Sequence, residues 1–343
     1  MNSSTQRRDH ANSSQSQGAY LCAGLRQLEW ITRHSITGEK RELLRRYQQL
    51  KPAYNGMMVF FLIQWLAAGM VMSAVDFLPV TLLCSLLMGF SVVGLPILMH
   101  EACHSLLSRN PMVNRWLGFL CGVPGLVSVS AYRSIHLIHH SHTRTDQDPD
   151  NIEQANGVPL PKVFLHYLVL VAGIYFYIPT VAVTGYKKGR KEMKSAILVE
   201  YSLMLAIVAG AYILFPLESL VRYWLIPLLI AAQLSNVRGL AEHGLMSTGN
   251  PFVDTRTVLS NRFVSFMMCN LNYHLEHHLF PGIPWYNLPK VHRLLRDEFQ
   301  KAGASLYRSY SSFLADFFKV TWSEPLRTDA RLLPAHIRDE VCL

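Results

Sequence analysis

Two segments of the chain repeat one pattern: His136-Leu137-Ile138-His139-His140 and His274-Leu275-Glu276-His277-His278, both H-x-x-H-H. A third cluster, His100-Glu101-Ala102-Cys103-His104, ends a long apolar run. Residues at i, i+3 and i+4 of a helix share a face, so each cluster points two or three imidazoles in one direction. Neutral imidazole is a ligand for iron, zinc, copper and nickel. Eight histidines in three such clusters are more than one ion uses, which points to two metal ions in one site. Of the 15 histidines, His10, His34, His166 and His336 read as structural or solvated, and His142 falls just outside the cluster it follows.

The elements that must position these clusters are membrane spans. Half of the 343 residues are hydrophobic. Met57–Val75 is 19 residues without a charge, Phe77–Met99 is 23 more, and Ala196–Phe215 and Leu220–Asn236 carry one charge each, Glu200 and Arg222. A bilayer core of about 30 Å needs roughly 20 apolar residues as helix. The expected fold is therefore an all-α integral membrane protein. It has about four transmembrane helices in two hairpins, with interfacial or re-entrant helices and a cytoplasmic His-rich cap that holds the metals. Three regions follow: 1–50, a polar tail with an amphipathic helix at 38–51; 51–300, the membrane domain; and 301–343, a cytoplasmic tail that follows an amphipathic helix at 290–302.

The net charge of +9 is placed around the spans, at Arg41, Arg45, Arg46 and Lys51 and again at Lys187, Lys188, Arg190, Lys191 and Lys194. That is positive-inside patterning and attraction to anionic lipid, and it argues against nucleic acid. The six cysteines are scattered without a CxxC pair, so no disulfide framework is expected. Met1–Tyr20 lacks the apolar core of a cleaved signal peptide and reads as disordered.

The span of 23 apolar residues before His100 covers about 34 Å of helix, which sets the first cluster just beyond the hydrocarbon. Trp116–Tyr132, broken by Gly122, Pro124 and Gly125, is short for a span and reads as interfacial or re-entrant. Val163–Thr184 is long enough to cross once. A crossing there would put the basic loop 185–195 outside and the third cluster on the wrong face. It is therefore expected to dip in or lie at the interface, with an even number of crossings between His140 and His243. His243 follows Asn236 by two helical turns, which makes it a ninth candidate ligand and Asn236 a water-mediated one, a capping or packing role being equally open for Asn236. Residues 281–289 hold three prolines and read as a rigid surface turn beside the site.

The sequence resembles the integral-membrane fatty acid desaturase and hydroxylase family. The resemblance rests on HEACH at 100–104, HLIHH at 136–140, NYHLEHHLFPGIPWYNLP at 272–289 and the acidic stretch SHTRTDQDPDN at 141–151, and it covers roughly residues 55–300. It implies a cytoplasmic di-iron centre, activation of O2 and oxidation of an unactivated C–H bond in a lipid. Its ligands would be His100, His104, His136, His139, His140, His274, His277 and His278, with the family's additional histidine on His243. Imidazole-only ligation leaves such a site cationic, so carboxylates should orient the ring N–H groups. Glu101, Glu242, Glu276, Asp146, Asp148 and Asp150 are the candidates; all also read as solvated loop groups, Asp150 most of all. No cytochrome b5-like His-Pro-Gly-Gly segment is present. Electrons must then come from a separate ferredoxin or cytochrome with its reductase, and the basic surface would steer an acidic donor. The substrate would be a lipid or an acyl thioester, and in a bacterium the membrane would be the inner one.

Desaturation of an acyl chain is the first expectation, with hydroxylation or ketolation of an acyl chain or a carotenoid as the alternative. His100-Glu101-x-x-His104 also fits a membrane zinc protease, though that would leave two His clusters idle. A lipid-binding or sensory protein with a degenerate site is the non-enzymatic alternative, against which every expected ligand position is filled.

Overall fold

The computed structural model describes residues 22–29, 36–150, 162–246 and 251–323. The expectations for residues 1–20, His10, His34 and His336 lie outside them.

Amphipathic α1 (Gly38–Tyr47) is capped by Thr37, whose side chain accepts from the Lys40 N–H. The two charge-free runs form α2 (Gly56–Ala74) and α3 (Leu78–Cys103). They pack closely at Gly94, where a Cβ would stand 2.0 Å from the Phe61 ring. Next come α4 (Pro111–Gly122) and α5 (Val129–His142), bent 97° from one another at a short break. Trp116–Tyr132 straddles that break, the geometry of a re-entrant segment or a broken span. Two long helices, α6 (Lys162–Lys188) and α7 (Lys191–Leu214), follow. They lead into a span over Leu217–His243 that contains one π-helical stretch, Val221–Leu225, and continues as α8 (Ile226–His243). Among the described residues the only strands are Thr257–Val258 and Leu306–Tyr307, which pair in parallel. The structure is all-helical otherwise.

Five helices are long and apolar enough to cross a membrane, or six if the bent pair counts as one span. The sequence led to about four, with 163–184 dipping in or at the interface; α6 is one continuous helix that passes the same criterion. Connectivity restricts how many can cross. The α3 and α5 ends meet, since His104 and His136 are 2.9 Å apart, so α4 and α5 together return to the face they left. The start of the last span lies at the far end of α2: Trp65 Nε1 donates to the Tyr223 carbonyl and Arg222 Nη2 to the Met72 carbonyl. That span therefore runs from the far face to the His-cluster face. Only one of α6 and α7 can then cross. The end of α7, at Leu214, joins the far-face start of the last span. Helix α6 runs along α5, with Leu165 and His166 lining the cavity beside the imidazoles and Val181 packed on Ala131 and Ile135.

The region expected as a polar tail contains α9 (Tyr310–Ser323), whose Phe313 and Phe317 are fully buried against Leu240 and Tyr307.

Candidate metal centre

Four helix ends deliver the histidines. Helix α3 carries His100 in its last turn and stops at His104, after which Ser105 takes a left-handed φ of 62°. Helix α5 presents His136, His139 and His140 on one face. Its N-terminus is held by a carboxylate from α7: Glu200, fully buried, accepts from Ser128 Oγ at 2.6 Å, Ser130 Oγ at 2.6 Å and Ser130 N at 3.0 Å. Negative charge at a helix N-terminus is favourable, and a span tolerates a carboxylate only when it is satisfied in this way. Helix α8 ends on His243. Its last carbonyls are met by Arg256, fully buried, which donates from Nη1 to Ala241 O at 2.8 Å and from Nη2 to Gly244 O at 2.9 Å. The short helix His274–Leu279 supplies the third cluster. Glu276 anchors it between Thr257 Oγ1 and His292 Nδ1, each at 2.5 Å.

The side chains gather into two groups. His100, His104, His136, His140 and His277 converge in one, and His139, His243 and His278 in the other, each within 4.8 Å ligand atom to ligand atom. His274 adjoins the second group, with its Nε2 at 2.8 Å from that of His243 and 3.2 Å from that of His278. In the first group Nε2 of His136 faces Nε2 of both His104 (2.9 Å) and His140 (3.0 Å), and Nε2 of His140 also faces His277 (3.0 Å). A neutral imidazole has one N–H and one lone pair. A chain of four Nε2 atoms with shared neighbours therefore cannot be satisfied by hydrogen bonds among themselves. Separations near 3 Å are what neighbouring ligands have around one ion with metal–nitrogen bonds of about 2.1 Å. Burial, followed by the neighbouring imidazoles, pushes His274, His277 and His278 well below the ordinary histidine pKa. They are held neutral, the form that binds metal. The residues fit a pair of metal ions.

The carboxylates divide. Asp148 Oδ1 accepts from His139 Nδ1 at 2.9 Å, and its Oδ2 accepts from Arg144 N at 2.7 Å. Burial alone would raise the Asp148 pKa; the His139 hydrogen bond outweighs it and holds the carboxyl below its usual range. Glu242 pairs with Arg238 at 2.8 Å and stands 3.7 Å from His274 Nε2. Glu101 Oε2 accepts from Trp285 N at 2.9 Å, with Oε1 3.8 Å from His100 Nδ1. Through that bond the 281–289 segment is fixed beside the site. It is largely buried rather than a surface turn, because Asn287 Nδ2 also donates to Tyr47 O and the Tyr286 ring stacks on Tyr54. Glu276 holds the His274 helix without touching a converging imidazole.

The sequence left alternatives open at four positions. Asp146 is exposed in the turn after α5, and no bond to an imidazole is seen for it among the described residues. Asp150, expected in solvent, accepts from Tyr177 OH at 3.2 Å, and its Oδ2 lies 3.9 Å from His139 Nδ1. Asn236 makes a packing contact, the role left open for it: its Oδ1 accepts from Ile174 N of α6 at 2.7 Å. His166, read as structural or solvated, is buried beside the site. His142 lies outside both groups, and Cys103, Met267 and Met268 pack in the core.

A cavity of about 260 Å³ opens against His100, His136 and His139 and extends between α3, α6 and α8. Sequence reasoning missed several of its walls, among them Tyr132, Tyr177 and Arg238. None belongs to a short motif; only the α5–α6 and α6–α8 contacts bring them there.

A multi-pass helical protein with a cluster of nine buried or half-buried histidines at the converging ends of its helices belongs to the class of membrane metal-dependent oxidases. The sequence pattern of the fatty acid desaturase family matches residues 76–310, and the chain belongs to that family. It is 31% identical to a dihydrorhizobitoxine desaturase of Bradyrhizobium elkanii over 239 residues, 62% of this chain and 66% of the relative, just under two thirds of its length. It is 24% identical to a sphingolipid delta(4)-desaturase of Drosophila melanogaster, with 84% and 90% of the two chains covered. A β-carotene ketolase of Paracoccus sp. is 29% identical over 58% of this chain and 74% of the relative. The protein is thus a multi-pass membrane oxidoreductase of the desaturase family, and its His cluster is typical of that family's di-iron members.

Proposed function

We propose that residues 51–300 form an O2-dependent di-iron desaturase that introduces a double bond into a lipid chain, with its site on the cytoplasmic face. The observation that carries this reading is the division of the histidines into two convergent groups beside a cavity walled partly by apolar side chains. His100, His104, His136, His140 and His277 would hold one iron; His139, His243, His274 and His278 would hold the other. Bound there, the pair supplies the electrons that activate O2 and the oxidant that takes hydrogen from carbon.

The chain's own groups orient and enclose. Asp148 fixes the His139 ring through Nδ1, which leaves Nε2 for the metal. Glu101 ties the first cluster to Trp285, and the Glu276–Thr257–His292 contacts lock the third. The apolar wall formed by Val93, Pro96 and Ile97 gives a chain a dry path to the imidazoles. Electrons come from a separate ferredoxin or cytochrome drawn to the basic rim; donor turnover that ignores ionic strength would count against this partner.

The test is mass spectrometry of lipids from a host expressing the wild type, beside one expressing His277→Ala, with iron measured on both proteins. A new double bond only in the wild type is expected. A hydroxyl or keto product would move the protein to the hydroxylase or ketolase reading, which the Paracoccus relative represents. Full activity or full iron in His277→Ala would overturn the ligand assignment.

A further inference from the structure

One side of the cavity is polar, and besides imidazole nitrogens two buried polar atoms there have no hydrogen-bond partner among the described residues. Arg238 and Glu242 satisfy one another across one helical turn. Tyr177 OH donates to Asp150 Oδ2. Asn236 Nδ2 and Asp150 Oδ1 are left, both buried and both without a hydrogen bond among the described residues. Asn236 is 4% exposed, and its amide cannot turn freely, because Ile174 N already holds its Oδ1. Gly173 makes room for this arrangement: a Cβ there would lie 3.2 Å from Asn236 Oδ1. Both residues line the cavity that reaches the imidazoles. Asn236 and His243 are seven residues apart on α8, about 10 Å of helix. Asp150 stands beside His139.

Buried polar groups are retained with partners, and a donor and an acceptor facing one cavity call for a ligand that brings the complement. An unsubstituted methylene chain satisfies neither. Resting on the desaturase reading, we propose that this cavity takes the polar portion of a lipid whose oxidised carbon lies near hydroxyl or amide groups. An acceptor oxygen of the lipid receives Asn236 Nδ2–H, and a hydroxyl or amide N–H donates to Asp150 Oδ1. Asn236 is then a specificity determinant, and the reaction falls close to the headgroup rather than in mid-chain.

The experiment is binding to the full-length protein in detergent, read by native mass spectrometry and independent of turnover. The probes are an N-octadecanoyl 2-aminooctadecane-1,3-diol and a dioctadecanoyl phosphatidylcholine, whose chains carry no polar substituent. Wild-type protein is expected to retain the diol amide at least about tenfold better, the effect of one satisfied hydrogen bond. Asn236→Leu should erase that preference without changing retention of the phosphatidylcholine or the iron content. If Asn236→Leu does not fold, Gly173→Ala, which crowds the amide, should reduce the preference several-fold. Equal retention of the two lipids by the wild type, or an unchanged preference in a folded variant, would overturn the proposal. Competition by 2-amino-1,3-propanediol as effective as by the whole lipid would overturn its lipid half in favour of a small soluble substrate. A wild type that discriminates the lipids yet binds no iron would instead overturn the di-iron reading and leave this one standing.

Discussion

Asp148 Oδ1 accepts the Nδ1–H of His139 at 2.9 Å, so one side chain from the turn after α5 fixes both the tautomer and the ring direction of a histidine in the second group. Such outer partners are worth tenfold to a hundredfold in metal affinity. Asp148→Ala is expected to lower iron affinity by that range, with the loss in the His139, His243 and His278 group. Metal analysis after graded chelation checks it: with the proposed di-iron centre, wild-type protein should release both irons at similar chelator strength, and the variant one well before the other. Coincident release from both proteins would remove Asp148 from this role.

Glu200 acts at the other end of the same helix. Three hydrogen bonds from Ser128 and Ser130 end on its carboxylate, and Arg115 Nε lies 3.6 Å away. Glu200→Leu strands buried donors and should cost roughly 1–3 kcal/mol, seen as a drop of a few degrees in thermal midpoint. Glu200→Gln keeps an acceptor for two of the three bonds and should lose less. Equal midpoints for Glu200→Leu and the wild type in a tryptophan-fluorescence melt would refute the capping role.

The histidines were legible because a helix converts spacing directly into direction, so H-x-x-H-H and the His243 offset carry their own geometry. Spans α2 and α3 were legible from charge-free length. The groups that support the site were not. Glu200 read only as one charge near the end of an apolar run, yet it reaches back about 70 residues to Ser128 and Ser130. Arg256 gave no sequence signal at all. Asp150 looked like loop acid because nothing local announces that α6 will fold Tyr177 over it. Asn236 was drawn toward the metal by its periodicity with His243, whereas a contact with Ile174, 62 residues away, turns it to the cavity. Periodicity reports which residues share a face, and tertiary packing decides what that face meets.

The path of the chain gives a topological prediction. If α7 and the Leu217–His243 span cross while α6 stays at the interface, the joint at Gly189 lies on the same face as the imidazoles. A Gly189→Cys variant, in a background lacking the exposed Cys22, should react with an impermeant maleimide only from the imidazole face, proposed to be cytoplasmic, in oriented vesicles. Reaction only from the opposite side would mean that α6 crosses and that α7 does not.

Arg256 closes the end of α8 with two bonds from one guanidinium, and its Cζ stands 5.1 Å from the Phe313 ring and 5.7 Å from the Tyr307 ring. A cation at a helix C-terminus complements the exposed carbonyls, and the fork geometry reaches Ala241 and Gly244 at once. Lysine keeps the charge but cannot bridge both carbonyls. Arg256→Lys should therefore loosen the last turn that carries His243, with a cost of about 1–3 kcal/mol. Iron should fall from two per chain toward one, because only the second group depends on that turn. Phe313→Leu, which thins the packing without touching the carbonyls, should lower the thermal midpoint while leaving both irons bound. If Phe313→Leu strips iron as fully as Arg256→Lys, the aromatic packing and not the guanidinium bridge is what holds His243 in place.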